Sequence, residues 1–250
     1  MRIICIIPAR YESTRFPGKP LADLCGKPMI WWVYQQCKKV KQFADVVVAT
    51  DSSIISSICH QNQMNVVMTS DMHLTGTDRV AEAAKQFSSD LIINVQGDEP
   101  LIEPKTIEAA IYPFFEQADL QVTNLMTKIT NPIDVVNNTV PKVITNSEGI
   151  GIYLTRATAP YPKGSLTYDY FKQVCVYGFK PEALRFFSDY GFQNGKSKNE
   201  KIEDIEILRF IDNGYKVQFI EVNSDTIAVD TKKDLERVRN VLRQQIQNNE

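Results

Sequence analysis

The chain has 250 residues, 43% of them hydrophobic and 23% charged, enough to bury a sizeable core as one large α/β domain or two small ones. A formal net charge of -2 excludes a global pull toward nucleic acid or an anionic membrane, so an anionic ligand must meet a local basic cluster. No apolar stretch approaches a membrane span, no signal peptide is evident, and five scattered cysteines without a CxxC pair suggest neither a zinc site nor a disulfide framework. These features predict a chain of the reducing cytoplasm, with Cys5 as a small core residue.

The first half alternates strands and helices. Ile3 to Ile7 is an uninterrupted apolar run ending at Pro8, the pattern of a buried parallel strand. A polar, basic loop follows, to about Lys27. Pro28 is expected as the first residue of a helix carrying Met29, Trp32, Val33 and Gln36 at helical spacing and ending in Lys38, Lys39 and Lys41. Asp45 to Ala49 reads as a strand, Ser52 and Ser53 as caps of a helix to about Asn62, and Asn65 to Met68 as a third strand. Asp78 to Phe87 reads as a helix and Leu91 to Val95 as a fourth buried strand. The expected result is an α/β fold with a mostly parallel, doubly wound sheet.

After about Gln121 the pattern changes. Val122 to Lys128, Lys142 to Thr145 and Ile150 to Arg156 look like strands, the last two joined by a turn at Asn146-Ser147-Glu148-Gly149. Gln173 to Phe179 and Lys216 to Val222 are further strands, and Lys232 to about Gln245 is a terminal helix. We read residues 1–250 as a single domain carrying a smaller, mostly antiparallel lobe over 122–200.

The loop Pro8-Ala9-Arg10-Tyr11-Glu12-Ser13-Thr14-Arg15-Phe16-Pro17-Gly18-Lys19 follows the first strand, and ligands of open α/β sheets sit beyond the carboxyl ends of strands. It brings Arg10, Arg15 and Lys19 together as a candidate triphosphate cradle. The alternative is a solvated basic loop whose path the prolines set. There is no GxGxxG after the strand, and Gly18-Lys19 is followed by Pro20 rather than Ser or Thr, which removes the dinucleotide fingerprint and the P-loop.

Asp98 follows the fourth strand in Val95-Gln96-Gly97-Asp98, and Asp230 follows the apolar Ile227-Ala228-Val229. Magnesium takes one or two protein carboxylates and completes its shell with water and phosphate, so two aspartates at strand ends fit it. The alternative for Asp230 is a cap of the terminal helix. Thr75-Gly76-Thr77-Asp78-Arg79 can read a base and ribose or be an ordinary helix start capped by Thr77. His60 reads as structural or solvated.

The basic loop closely resembles the signature of the CMP-Kdo synthetases, the 3-deoxy-manno-octulosonate cytidylyltransferases. The match continues through Gly26-Lys27-Pro28-Met29-Ile30, Val48-Ala49-Thr50-Asp51, Met68-Thr69, Gly76-Thr77-Asp78-Arg79 and Asn94-Val95-Gln96-Gly97-Asp98-Glu99-Pro100. Later matches are Arg156 with Ala157-Thr158, Tyr177-Gly178, Val229-Asp230-Thr231 and Asp234 to Arg239, so it covers essentially the whole chain. The resemblance implies a nucleotidyltransferase-type sheet beside a smaller lobe that forms a homodimer. It implies transfer of CMP from CTP to the anomeric hydroxyl of Kdo or a related acidic keto-deoxy sugar, with release of pyrophosphate and a requirement for Mg2+. It assigns magnesium to Asp98 and Asp230; Lys19 and Arg10 complete the candidate catalytic set, since they could stabilise charge on the α-phosphate and the departing pyrophosphate. Pro8, Ala9, Arg10, Arg15, Lys19, Thr75, Gly76, Asp78, Arg79 and Gln96 would hold the nucleotide. Gln96, Arg156, Gln173, Tyr177 and Glu206 would hold the sugar, Arg156 as bidentate partner of its carboxylate.

The chain departs from the family on the sugar side. Gln173 stands where those enzymes usually have histidine, and Ile207 where they usually have glutamine. Two readings remain open: a related acidic substrate, such as an amino-Kdo or a nonulosonate, used better than Kdo, or local drift compensated by Lys172 or Tyr177. From another class, a nucleotide-binding regulatory protein without catalysis is the alternative, disfavoured by intact Lys19, Asp98 and Asp230.

Overall fold

The structure is a computed structural model that describes residues 1–12, 16–164, 168–224 and 226–247. Arg15 lies outside the described residues. The elements run β1 (Ile3–Ala9), a 3-10 turn (Lys19–Leu21), β2 (Asp23–Leu24), β3 (Lys27–Pro28), α1 (Met29–Lys38), β4 (Phe43–Thr50), α2 (Ser53–Gln61), β5 (Val66–Met68), α3 (Gly76–Ala84), β6 (Leu91–Val95) and α4 (Pro104–Ala109). They continue as α5 (Pro113–Glu116), β7 (Val122–Lys128), α6 (Pro132–Val136), β8 (Lys142–Thr145), β9 (Gly151–Thr155), β10 (Phe171–Phe179), α7 (Pro181–Asn194), α8 (Lys198–Glu203), α9 (Leu208–Asp212), β11 (Val217–Glu221) and α10 (Lys232–Gln247). Two compact units result, Met1–Glu108 with Ser224–Glu250, and Ala109–Asn223.

In the first unit the strands lie in the order β6-β1-β4-β5, all parallel. Every residue of β1 is buried, as its unbroken apolar run requires of a central parallel strand. The path from β1 through β4 to β5 moves one way across the sheet, and β6 returns to the other side of β1. Right-handed crossovers then put α1 and α2 on one face and α3 on the other, which is the doubly wound arrangement. The reversal between β1 and β6 is the switch point at which such sheets open a crevice for ligands.

Two expected helix starts are corrected. Pro28 is not the first helical residue: its ψ of 147° is extended and α1 begins at Met29. Pro28 instead pairs with Asp23 across the β2–β3 hairpin, whose turn is closed by positive φ at Cys25 and Gly26. The cap of α3 is Thr75, not Thr77. The Thr75 hydroxyl accepts from the Asp78 amide at 3.1 Å, and Thr77 lies inside the helix, 1% exposed.

The chain comes back to the first unit through α10, whose Leu235, Val238 and Leu242 share one face. They pack with Leu24, Met29 and Val229, and burying each such side chain is worth about 1.5–3 kcal/mol. Arg239 donates to the Asp23 carbonyl at 2.6 Å, and Trp32 donates to the Leu24 carbonyl at 2.8 Å. All five cysteines are free thiols. Among the described residues no helix is long and apolar enough to cross a membrane.

In the second unit β7 pairs in parallel with β11 and antiparallel with β10. An antiparallel ladder continues from β10 to β8 and β9. The turn at 146–149 forms as expected, with Gly149 at φ 77° and the Asn146 side chain accepting from Glu148 and Ile150. The register of β10 shifts between Val174 and Tyr177. Asn124 supports this bulge, donating from one amide to the carbonyls of Val174 and Val176, each at 2.9 Å.

Short helices α8 and α9 were not readable in the sequence, because helices of this length depend on tertiary packing. A buried ion pair supplies it. Arg209 donates to both oxygens of Glu200, at 2.8 and 2.7 Å, and to the Phe187 carbonyl at 2.9 Å. Both charged side chains are 0% exposed. Glu200 also accepts from the Ser197 amide at 2.9 Å, closing a capping box. We expect Arg209→Met to cost about 3–5 kcal/mol in urea unfolding, because it strands a buried carboxylate. A loss below about 1 kcal/mol would contradict this account of the pair.

Candidate active site

Two loops leave the switch point, one after β1 and one after β6. The first folds back through Gly18, at φ 69°, whose amide donates to the Tyr11 carbonyl at 2.9 Å. This turns Lys19 toward the sheet. The second begins at Gly97, where a Cβ would meet the Pro8 carbonyl at 3.1 Å and Ile30 at 3.2 Å; any side chain there would press on the end of β1. Asp98 comes next.

The third member arrives from the far end of the chain. The Val229 amide donates to the Asp98 carbonyl at 2.8 Å, so Asp230 emerges beside Asp98. Lys19 Nζ lies 2.9 Å from Asp98 and 3.5 Å from Asp230, with the lysine side chain 17% exposed and the carboxylates 26% and 37%. Burial alone lowers the pKa of the Lys19 ammonium, but the two carboxylates outweigh it and hold the group above its ordinary value. The capping alternative for Asp230 falls to its neighbour: Thr231 and Asp234 cap α10, the Asp234 carboxylate accepting from the Thr231 amide at 3.0 Å and hydroxyl at 2.7 Å. The Asp234 amide returns a bond to the Thr231 hydroxyl at 3.3 Å.

Two carboxylates that converge on one ammonium are also the donor set that suits magnesium, which needs hard oxygens and few of them from the protein. Among the described residues no group of three or more His, Cys, Asp or Glu is placed to hold a metal.

Of the nucleotide candidates, Pro8 and Ala9 form the buried end of β1 and Arg10 is exposed just beyond it. Gly76 lies against them: a Cβ there would meet the Gln96 amide at 3.2 Å and Pro8 at 3.4 Å. Pro8, Gly76 and Gln96 are thus brought together, with bare backbone at the helix start. Asp78 is 5% exposed and accepts from the Thr75 hydroxyl at 2.7 Å. Arg79 is committed inside the protein, donating to Asp51 at 2.7 Å, the Thr69 hydroxyl at 2.6 Å and the Ser70 carbonyl at 3.3 Å. It ties the ends of β4 and β5 together. Glu82 fixes the following loop, accepting from the Ser70 amide at 3.0 Å and pairing with His73. Asp51, His73 and Glu82 were missed in the sequence; the signal for Asp51 was that it follows β4 as Asp98 follows β6.

The sugar candidates other than Gln96 belong to the second unit. Arg156 spends its guanidinium on backbone carbonyls: Glu203 at 2.5 Å, Asp204 at 3.1 Å, Asn138 at 3.2 Å and Thr139 at 3.4 Å. A bidentate grip on a carboxylate requires releasing some of these bonds. Lys142 reinforces the knot, donating to the Asn137 and Arg156 carbonyls at 2.8 Å each. Tyr177 is 5% exposed and stacks on Phe179. Glu206 is half-buried. Ile207 is 2% exposed, so its apolar side chain serves core packing. Gln173 is half-buried and donates to Asn124 Oδ1 at 2.8 Å. Asn124 was legible in principle, as a polar residue inside the buried run of β7.

A profile of the family described as cytidylyltransferase matches residues 4–244. The chain is 40% identical over 249 residues to a 3-deoxy-manno-octulosonate cytidylyltransferase of Geotalea uraniireducens (strain Rf4), covering 95% of this chain and 98% of that protein. It is 39% identical over 246 residues to one of Lawsonia intracellularis (strain PHE/MN1-00), covering 97% and 94%. A solved structure of CMP:2-keto-3-deoxy-manno-octonic acid synthetase complexed with CTP superposes with a TM-score of 0.90 at 33% identity, covering 98% of this chain and all of that one. Sequence and fold agree, and the chain belongs to the cytidylyltransferase family, within the 3-deoxy-manno-octulosonate cytidylyltransferases.

Proposed function

We propose that the protein transfers CMP from CTP to the anomeric hydroxyl of Kdo and releases pyrophosphate. The observation that carries this reading is the convergence of Lys19, Asp98 and Asp230 at the switch point. Relatives named for this activity over nearly their full length support it, as does the CTP-bound structural neighbour.

Chemically, the anomeric oxygen attacks the α-phosphorus as the bond from that phosphorus to the bridging oxygen breaks; pyrophosphate departs with that oxygen, and the hydroxyl proton passes to water. Such transfers depend on positioning and charge neutralisation more than on covalent help from the protein. Lys19 and Arg10 offset charge on the α-phosphate and the departing pyrophosphate. Asp98 and Asp230 would hold magnesium, which would offset phosphate charge and make the attacking hydroxyl more acidic. The backbone at Gly76, with Pro8 and Gln96, receives the nucleoside side. Arg79 acts from behind this surface, holding the strand ends in place.

A second reading of the sugar is favoured by one observation. Asn124 gives its amide hydrogens to two backbone carbonyls, so its oxygen must accept, and Gln173 must turn its own amide nitrogen toward it. Gln173 therefore offers Oε1, an acceptor. A substrate carrying a donor such as an amine at that edge gains from this, as an amino-Kdo does. We further propose that the protein works in the cytoplasm as a homodimer formed through the smaller unit, where Ile133, Val136 and Ile152 are 70%, 71% and 56% exposed.

Pyrophosphate release with a panel of triphosphates and keto-deoxy acids tests the reaction. We expect CTP to exceed ATP and GTP by at least about a hundredfold in kcat/KM, with Kdo as a productive acceptor; no release from CTP and Kdo would overturn the reading. An 8-amino-Kdo that outperforms Kdo roughly tenfold would support the second reading, whereas a clear preference for Kdo would remove it. Sedimentation at micromolar concentration should give a dimer, and a monomer there would defeat the assembly claim.

A further inference from the structure

Lys19 stands where two functions compete. Its ammonium lies 2.9 Å from one oxygen of Asp98 and 3.5 Å from one oxygen of Asp230, on the two carboxylates that would hold a divalent cation. A lysine on a folded turn, with Gly18 and Pro20 fixing its backbone, acts at a high effective concentration because it never diffuses away. An ammonium held against one oxygen of each carboxylate repels a divalent ion that approaches the others.

We propose that Lys19 is a tethered competitor of the metal, which weakens binding of a bare divalent ion until a triphosphate draws the ammonium away. This rests on the reading of Asp98 and Asp230 as the magnesium carboxylates. The phosphate oxygens of a nucleotide are a better partner for the ammonium than two carboxylates that a metal is also seeking. Metal and triphosphate then bind as a linked pair, each raising the affinity of the other by the same factor. The lysine so has two positions of use, one on the carboxylates and one on the phosphates. It keeps two like charges from facing one another unshielded, and it does so without a resident metal.

The test is manganese binding to the full chain without nucleotide, read from the electron paramagnetic resonance signal of free Mn2+. Lys19→Met removes the charge and keeps most of the stem, and thermal melting checks that the variant is folded. We expect Lys19→Met to bind Mn2+ at least about tenfold more tightly than the unaltered protein, and Lys19→Arg, which keeps the cation, to stay within about threefold of it. Lys19→Met binding no more tightly than Lys19→Arg would overturn the proposal while leaving the metal reading intact. Asp98→Asn in the Lys19→Met background should abolish the gain; if affinity is unchanged there, the metal reading fails and the proposal with it.

Discussion

The site depends on one backbone hydrogen bond, from the Val229 amide to the Asp98 carbonyl. It joins the loop after β6 to the segment that leads into α10, and so sets Asp230 beside Asp98 although the two are far apart in the chain. Two carboxylates brought together in this way repel one another. Something must pin the backbone and something must neutralise the charge. The bond does the first, and Lys19 the second.

The cost of holding that arrangement is met by apolar packing some distance away. Leu235, Val238 and Leu242 bury α10 against Leu24 and Met29, and the Thr231–Asp234 cap starts the helix immediately after Asp230. A terminal helix is ordinarily where a chain frays. Here it is tied to the β2–β3 hairpin by Arg239, so Asp230 sits just ahead of a docked element. Gly97 contributes from the other side, because its missing side chain allows the loop carrying Asp98 to run against the end of β1.

Much of this was legible in the sequence, and for a physical reason. Buried parallel strands are written as apolar runs, so β1 and β6 could be read directly, along with the loops beyond their carboxyl ends. Lys19 and Asp98 could be named from their place beyond such ends, whereas Asp230, expected at a strand end, follows a segment that forms no strand. What the residues alone could not separate was function from capping at Asp230, since Asp is favoured in both; in the structure Thr231 and Asp234 take the cap. Arg79 looked like a nucleotide contact by its place beside Gly76, but its partners Asp51 and Thr69 come from other strand ends. Arg156 hid in the same way, its guanidinium bonded to carbonyls that no spacing rule reveals. Helices α8 and α9 were invisible because a buried Glu200–Arg209 pair, rather than periodicity, holds them.

The central claim is that Asp98 and Asp230 act as one unit made by the fold, and a double-mutant cycle on pyrophosphate release tests it most directly. Asp98→Asn and Asp230→Asn should each lower kcat by about a thousandfold or more at saturating magnesium. Residues that serve one site are strongly non-additive, so the double variant should fall no further than the worse single variant. Losses that multiply would show two independent contributions and contradict the account.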